Sequence, residues 1–133
     1  MKLVEVEGIG PVNAEKLSAA GVNSIEGLLT AGSTPKGRKE IAEKTGISDT
    51  YILKWVNRAD LFRVKGIGSE YGDLLEASGV DTVVELATRN AENLYKKLVE
   101  VNAEKNLVRQ LPGQNQVAGW IENAKTLPRA VSY

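Results

Sequence analysis

Apolar residues recur at spacings of three to four along most of the chain, which is the period of an amphipathic α-helix. No segment alternates apolar and polar residues for long enough to predict a strand, and residues 3–6 are expected to form an extended arm. The pattern predicts an all-α protein with four or five short helices in each half. The longest apolar face contains Ile52, Trp55, Val56 and Ala59, on a helix that runs to about Leu61.

Polar residues and glycines mark where these helices begin and end. Ser, Thr and Asn accept hydrogen bonds from the first free N–H groups of a helix, and Gly adopts the left-handed conformation that closes its last turn. Pro35 follows Thr34, as is typical of the first helical position. The predicted N-caps are Asn23, Thr34, Ser48 and Thr82, and the predicted C-terminal glycines are Gly21 and Gly79.

The chain contains an internal repeat. Residues 4–28 match residues 62–86 at an offset of 58, with nine identical positions. The segment 52–59 matches 117–124 at an offset of 65, which aligns Trp55 with Trp120. The larger offset predicts extra residues in the second copy, around 100–108. We therefore expect two homologous units, 1–61 and 62–133, packed together.

Each unit opens with the tripeptide Gly-Ile-Gly, at 8–10 and again at 66–68. Glycine permits backbone conformations that a Cβ resists, and the isoleucine between the two glycines can enter the core and hold the turn. The N–H groups of the turn and of the next helix then point outward. Such a group of donors attracts an anion, and phosphate above all.

The residues around these turns resemble a known motif. VEGIGPVNAEKLSAAGV, residues 6–22, looks like the helix-hairpin-helix motif of many DNA repair and recombination proteins. KTGIS at 44–48 resembles the weaker second hairpin of a paired unit, and LPGQN at 111–115 is its degenerate counterpart. Residues 6–59 are similar to the N-terminal domain of RadA-type recombinases and to the C-terminal domain of the bacterial RNA polymerase α subunit.

Nearly the whole chain also resembles a family of small proteins described as a domain of unknown function. The arrangement that carries this resemblance is GIGP, EKTGIS, Trp55, KGIGSEY and Trp120, in that order. It implies a fold of two tandem helix-hairpin-helix units and implies no activity.

Composition removes most enzyme classes. The chain has no Cys and no His, which excludes thiol nucleophiles, His-dependent catalysis and the usual zinc sites. A third glycine is missing after Gly-Ile-Gly, so the dinucleotide fingerprint is incomplete. An enzyme would need an acid–base pair such as Glu70 and Asp73, and these lie on one helix face as a surface pair. We expect a protein without catalytic activity, cofactor, metal or small-molecule substrate.

The first residues and the hydropathy of the chain indicate where the protein is located. The segment MKLVEVEG carries no signal-peptide-like apolar stretch, and no apolar run approaches the roughly 20 residues of a membrane span. We expect a cytoplasmic protein with no membrane partner.

Charge separates the two units. Lys plus Arg and Asp plus Glu both total 17, so a general nucleic-acid coat is excluded but a local basic patch is not. Basic residues exceed acidic ones between 34 and 65. The first hypothesis is sequence-independent binding of duplex or branched DNA through its phosphates. The candidate residues are Gly8, Ile9, Gly10, Val12, Lys16, Lys36, Arg38, Lys39, Lys44, Thr45, Gly46 and Ser48.

The second unit favours a different interpretation. Glu70 and Asp73 follow its turn and would repel phosphate, so we interpret the hairpin residues Lys65, Gly66, Ile67 and Gly68 as structural. The alternative hypothesis for the whole chain is a protein-interaction module with purely structural hairpins. The basic run after Thr34 can equally be a solvated helix face. We expect Trp55 and Trp120 to be core residues and Phe62 and Tyr51 to pack with them, while the exposure of Tyr71 at the second turn stays open.

Overall fold

The computed structural model describes residues 1–133 and confirms the all-α class, with eight α-helices and no strand. The expected extended arm is instead a 3₁₀ turn at Leu3–Glu5, because Leu3 and Val6 turn inward and are buried. The α-helices are α1 (Pro11–Ala19), α2 (Ile25–Ala31), α3 (Pro35–Thr45), α4 (Asp49–Leu61), α5 (Ser69–Ala77), α6 (Val83–Ala87), α7 (Ala91–Lys105) and α8 (Gln114–Thr126). No helix combines the length and the apolar character needed to cross a bilayer.

Internal contacts divide the chain into two units. The first contains Met1–Asp60 together with Ala130–Tyr133, and the second contains Leu61–Arg129. Each unit has four main helices, α1 to α4 and α5 to α8. The sequence division placed residues 130–133 in the second unit, whereas they pack on the first. The second unit is longer because α7 has 15 residues against 11 in α3, and because a longer loop, 106–113, follows it.

Helix starts follow the predicted capping in three of four places. The hydroxyls of Thr34 and Thr82 accept hydrogen bonds from backbone N–H groups three residues later, at 3.1 and 3.2 Å. Ser48 directly precedes α4, and its hydroxyl accepts the Thr50 N–H at 3.3 Å. The prediction at Asn23 is wrong, since its side chain accepts the Ser18 hydroxyl at 2.6 Å and Ser24 caps α2 instead.

The ends of α1 and α5 are built alike. Gly21 and Gly79 both have φ of +90°, which confirms their predicted left-handed conformation. The next residue in each copy, a valine, turns into the core and donates its N–H to a leucine carbonyl five residues earlier, at 2.9 Å. A left-handed glycine followed by this hydrogen bond is the pattern of the Schellman motif. Because both helices end in it, the sequence repeat is also a repeat of local structure.

Each unit has its own core, and a tryptophan of its last helix is part of it. Trp55 and Trp120 are 2% and 3% exposed, which confirms that they are core residues. In the second unit Trp120 packs among buried residues of α5, α6 and α7, with Phe62 and Tyr71 partly buried against the same cluster. In the first unit α1 and α2 both contact α3.

The C-terminal tail closes the first unit around Arg38, which is 6% exposed. The guanidinium donates hydrogen bonds to the carbonyl oxygens of Gly32 and Ser132, each at 2.8 Å, and lies 5.7 Å from the ring centre of Tyr133. The prediction that Arg38 belongs to an exposed phosphate-binding group is therefore wrong. The backbone carbonyls accept hydrogen bonds from the guanidinium, which supplies partners for N–H donors that burial has removed from water.

Further contacts hold the same tail. Val131 is 3% exposed. The N–H and hydroxyl of Ser132 both donate to the Ser33 carbonyl, at 2.8 and 3.2 Å, and the Tyr133 hydroxyl donates to Asn57 Oδ1 at 2.8 Å. Residues 130–133 are thus an integral part of the first unit.

Removing residues 130–133 is expected to lower the free energy of unfolding by about 3 kcal/mol, because one buried valine and a charge-assisted hydrogen bond are lost. Arg38→Met should cost a similar amount. The two changes remove the same contact, so together they should cost clearly less than their sum in urea denaturation. Strictly additive losses would show that Arg38 and the tail stabilise the unit independently.

Candidate functional site

The first Gly-Ile-Gly turn joins the 3₁₀ turn to α1. Gly8 has φ of +93°, Ile9 is 2% exposed, and Gly10 occupies the N-cap position of α1 in extended conformation. Pro11 is the first helical residue and has no N–H to satisfy. Ile9 therefore anchors the turn from inside, while the backbone on either side of it reaches the surface.

The turn is held by the tryptophan of the last helix in its unit. A Cβ added to Gly8 would lie 3.2 Å from Trp55 Nε1, and one added to Gly66 would lie 3.1 Å from Trp120 Nε1. Gly66 also has φ of +94°. Glycine is favoured at both places for two reasons, since a side chain would strain the backbone at positive φ and its Cβ would come unusually close to the indole.

Both turns of the first unit line a single groove of about 610 Å³. Gly8 forms one wall and the segment 46–48 forms another. The side chains of Lys16, Tyr51 and Lys54 also line the groove, with Trp55 among them. The fold therefore brings together the first Gly-Ile-Gly turn and the turn between α3 and α4, which the sequence alone could not place relative to each other.

Polar residues shape the groove around these turns. Asn13 Nδ2 donates to the Gly8 carbonyl at 3.4 Å and ties α1 to the turn. Thr45 works within the second turn, because its hydroxyl donates to the Ile41 carbonyl at 2.7 Å and accepts the Ile47 N–H at 3.1 Å. Glu7 also lines the groove, so one carboxylate opposes the two lysines there.

Tyr51 differs from its predicted core position. Its side chain is 57% exposed, and its ring stacks on Trp55 with centroids 6.2 Å apart and planes 25° from parallel. The helical period of the sequence already indicated that Tyr51 is exposed. Tyr51 precedes Trp55 by one turn but is offset by one position from Ile52, so it falls at the edge of the buried face of α4.

The basic residues of α3 do not form one cluster. Lys36 and Lys39 are exposed near the beginning of the helix, whereas Lys44 is exposed in its last turn, two residues before the groove segment 46–48, and does not itself line the groove. A rise of 1.5 Å per residue separates Lys36 from Lys44 by roughly 12 Å along the helix axis. Arg38 turns inward together with Ile41, three residues later, a spacing that places both on one helix face.

The equivalent surface of the second unit is different. Its turn borders a groove of about 670 Å³ that is also lined by Glu70, Tyr71 and Arg109. Arg109 Nε lies 3.6 Å from Glu70 Oε1, and the Tyr71 hydroxyl donates to the Gln110 carbonyl at 3.3 Å. The ion pair and the tyrosine contact join the start of α5 to the long loop 106–113.

The remaining residues of the second turn have structural partners. Ile67 is 4% exposed in the core. Lys65 is exposed as a side chain, while its backbone N–H donates to Asn123 Oδ1 at 3.0 Å. Gly68 is the N-cap of α5 and has open space where a Cβ would be.

Alignment of the two copies shows which groove residues belong to the first unit alone. At the offsets of 58 and 65, the second unit has Leu74 for Lys16, Gln116 for Tyr51 and Gly119 for Lys54. Two positions go the other way: Glu7 matches the cation Lys65, and Asn13 matches the half-buried Tyr71. The glycines and tryptophans of the scaffold recur, and the cations and the exposed ring do not.

A sequence profile of the family described as a domain of unknown function, DUF4332, matches residues 7–127. The chain belongs to this family. The matched region contains both Gly-Ile-Gly turns and both tryptophans, so the family extends over both units. No curated protein and no solved structure matches the chain. The family description names no activity, and function is therefore argued from the groove. No group of three or more acidic side chains is placed to hold a metal ion.

Gly8→Ala is expected to destabilise the protein by about 2 kcal/mol, because the new Cβ meets Trp55 and φ is positive. Gly10→Ala is the matched control. Gly10 has φ of −80° and open space around it, so its substitution should cost less than about 1 kcal/mol. Urea denaturation compares the two, and equal losses would contradict the role assigned to the Trp55 contact.

Proposed function

We propose that the chain is a non-enzymatic, sequence-independent nucleic-acid-binding protein built from two tandem helix-hairpin-helix units. The first unit holds the phosphate backbone in its groove, and the second unit has an architectural role. The resemblance of residues 6–22 to the hairpin of DNA repair proteins supports this assignment. The observation that carries it is the convergence of both turns of the first unit, with Lys16 and Lys54, on one groove.

The start of α1 suits an anion. The first N–H groups of a helix have no partner within it, and the helix dipole favours negative charge there. The first turn of α1 contains no acidic residue, and Val12 is 67% exposed. In contrast, α4 begins with Asp49 and α5 has Glu70 in its first turn. We therefore assign the phosphate contact to α1, with the segment 46–48 as the opposite wall.

The lysines extend this contact. A phosphate chain that touches the start of α1 continues between Lys16 on α1 and Lys54 on α4, which both line the groove. Their two charges exceed that of Glu7. Lys44, in the last turn of α3, does not line the groove but adds a positive charge two residues before the segment 46–48. Lys36 and Lys39 lie at the other end of α3, and this proposal gives them no direct contact.

The divergence of the repeat supports a role for the first unit in particular. The second unit has the same scaffold but neither lysine at the matching positions, and it has a carboxylate at its helix start. A structural role explains the shared residues, and it does not explain why cations and an exposed ring gather on one copy. The acidic start of α5 would repel phosphate.

Few phosphates are neutralised in such a groove, so binding should be weak and sensitive to salt. Contact with two to four phosphates predicts a slope of log affinity against log salt of about −2 to −4 on duplex DNA. Fluorescence anisotropy with labelled duplex and single-stranded DNA, from low to physiological salt, measures this slope. An affinity that does not change with salt would contradict the phosphate mechanism.

The double variant Lys16→Glu/Lys54→Glu is expected to weaken binding at least tenfold at low salt and to flatten the slope by about two. Lys96→Glu/Lys97→Glu, on the exposed surface of α7, is the control with the same change in net charge. It should change affinity less than threefold. Glu7→Gln removes the opposing carboxylate and should tighten binding. All three effects are read in the anisotropy titration above.

Two outcomes would overturn the proposal. Equal losses in the groove variant and in the α7 control would mean that net charge alone governs binding. No binding to any DNA at low salt would favour the alternative of a protein-interaction module with purely structural turns. Arg38 is left intact in these variants, because its loss would damage the fold rather than the groove.

A further inference from the structure

Tyr51 presents an aromatic face at the groove. The residue is 57% exposed and lines the groove. The ring of Trp55 lies alongside it, with ring centroids 6.2 Å apart and planes 25° from parallel. The tyrosine therefore packs on its neighbour while more than half of its surface stays exposed at the groove.

We propose that the groove of the first unit binds single-stranded nucleic acid, with one base stacked on Tyr51. This rests on the proposed function and narrows its substrate class. The bases of a duplex are stacked on each other, so their faces are hidden, whereas unpaired bases offer theirs to aromatic side chains. A phosphate-binding groove with an aromatic wall is the combination by which proteins hold single strands without reading sequence.

The positions on α4 fit one nucleotide. Tyr51 and Lys54 are three residues apart, so they lie side by side on one helix face. A base stacked on Tyr51 brings the phosphate of its own nucleotide toward Lys54, while the adjoining phosphate faces Lys16 and the start of α1. The groove volume of about 610 Å³ lies within the range of clefts that hold small ligands, roughly 300–1,000 Å³.

The second unit lacks this platform. Gln116 stands at the position of Tyr51. The tyrosine at its turn, Tyr71, is half-buried, with its ring centroid 5.2 Å from that of Trp120 and the planes tilted by 54°. Its hydroxyl donates to the Gln110 carbonyl. That tyrosine is therefore held against the loop 106–113. Tyr95 is partly buried against the core. The proposal therefore predicts one base-stacking position in each chain.

The test compares three fluorescein-labelled probes of equal length: a thymidine strand, a duplex, and a strand of abasic sugar phosphates. Wild-type protein is expected to bind the thymidine strand about tenfold more tightly than the abasic strand, and more tightly than the duplex. Tyr51→Ala should lose about tenfold on the thymidine strand and change little on the abasic strand. Its salt slope should stay that of the wild type, because no charge is removed.

Two further variants separate stacking from folding. Tyr51→Phe keeps the ring and should bind the thymidine strand within about twofold of wild type. Tyr51→Leu covers Trp55 with an apolar side chain but has no ring, so it should bind as weakly as Tyr51→Ala while melting near the wild-type temperature. Gln116→Ala, at the equivalent position of the second unit, should leave binding unchanged.

The outcomes distinguish this proposal from the one on which it rests. If wild type binds duplex and abasic strands as tightly as thymidine, and Tyr51→Leu has no effect, the stacking proposal is overturned and phosphate binding remains. If Tyr51→Phe weakens binding as much as Tyr51→Leu, the hydroxyl rather than the ring is responsible and stacking is again overturned. If no probe binds at low salt, both proposals fail.

Discussion

The contact between a tryptophan indole and a positive-φ glycine recurs in both units and sets the geometry of each Gly-Ile-Gly turn. Trp55 lies against Gly8, and Trp120 lies against Gly66. In each unit this contact joins the first turn to the last helix, across the whole length of the unit in sequence. Because the indole lies so close to the turn, a displacement of the last helix would disturb the turn as well.

Around this shared scaffold the two units have diverged in the residues that reach the surface. Lys16, Tyr51 and Lys54 line the groove of the first unit, and their counterparts carry neither charge nor ring. The groove beside the second turn is instead bordered by an ion pair and by residues of a longer loop. A duplicated fold can retain packing residues in both copies while one copy specialises, because the core and the surface face different physical demands.

Arg38 illustrates how a run of cations can mislead. It stands between Lys36 and Lys39 in sequence, but successive helical residues point about 100° apart, so the two lysines face solvent and the arginine faces the core side. Its guanidinium joins α3 to the C-terminal tail. The tail is distant from Arg38 in sequence, and no local sequence pattern predicts the contact between them. The same geometry explains Tyr51, whose position at the edge of an apolar face left its ring exposed beside Trp55.

The sequence by itself determined the all-α class, the repeat, most helix ends and the burial of both tryptophans, because periodicity, capping and turn chemistry act between near neighbours. The tertiary structure decided which surface residues meet. It brought the Gly8 turn and the segment 46–48 to one groove, buried Arg38 under residues 130–133, and left Lys36 and Lys39 away from that groove. These arrangements depend on contacts between residues far apart in the chain, whose free energies local patterns do not encode.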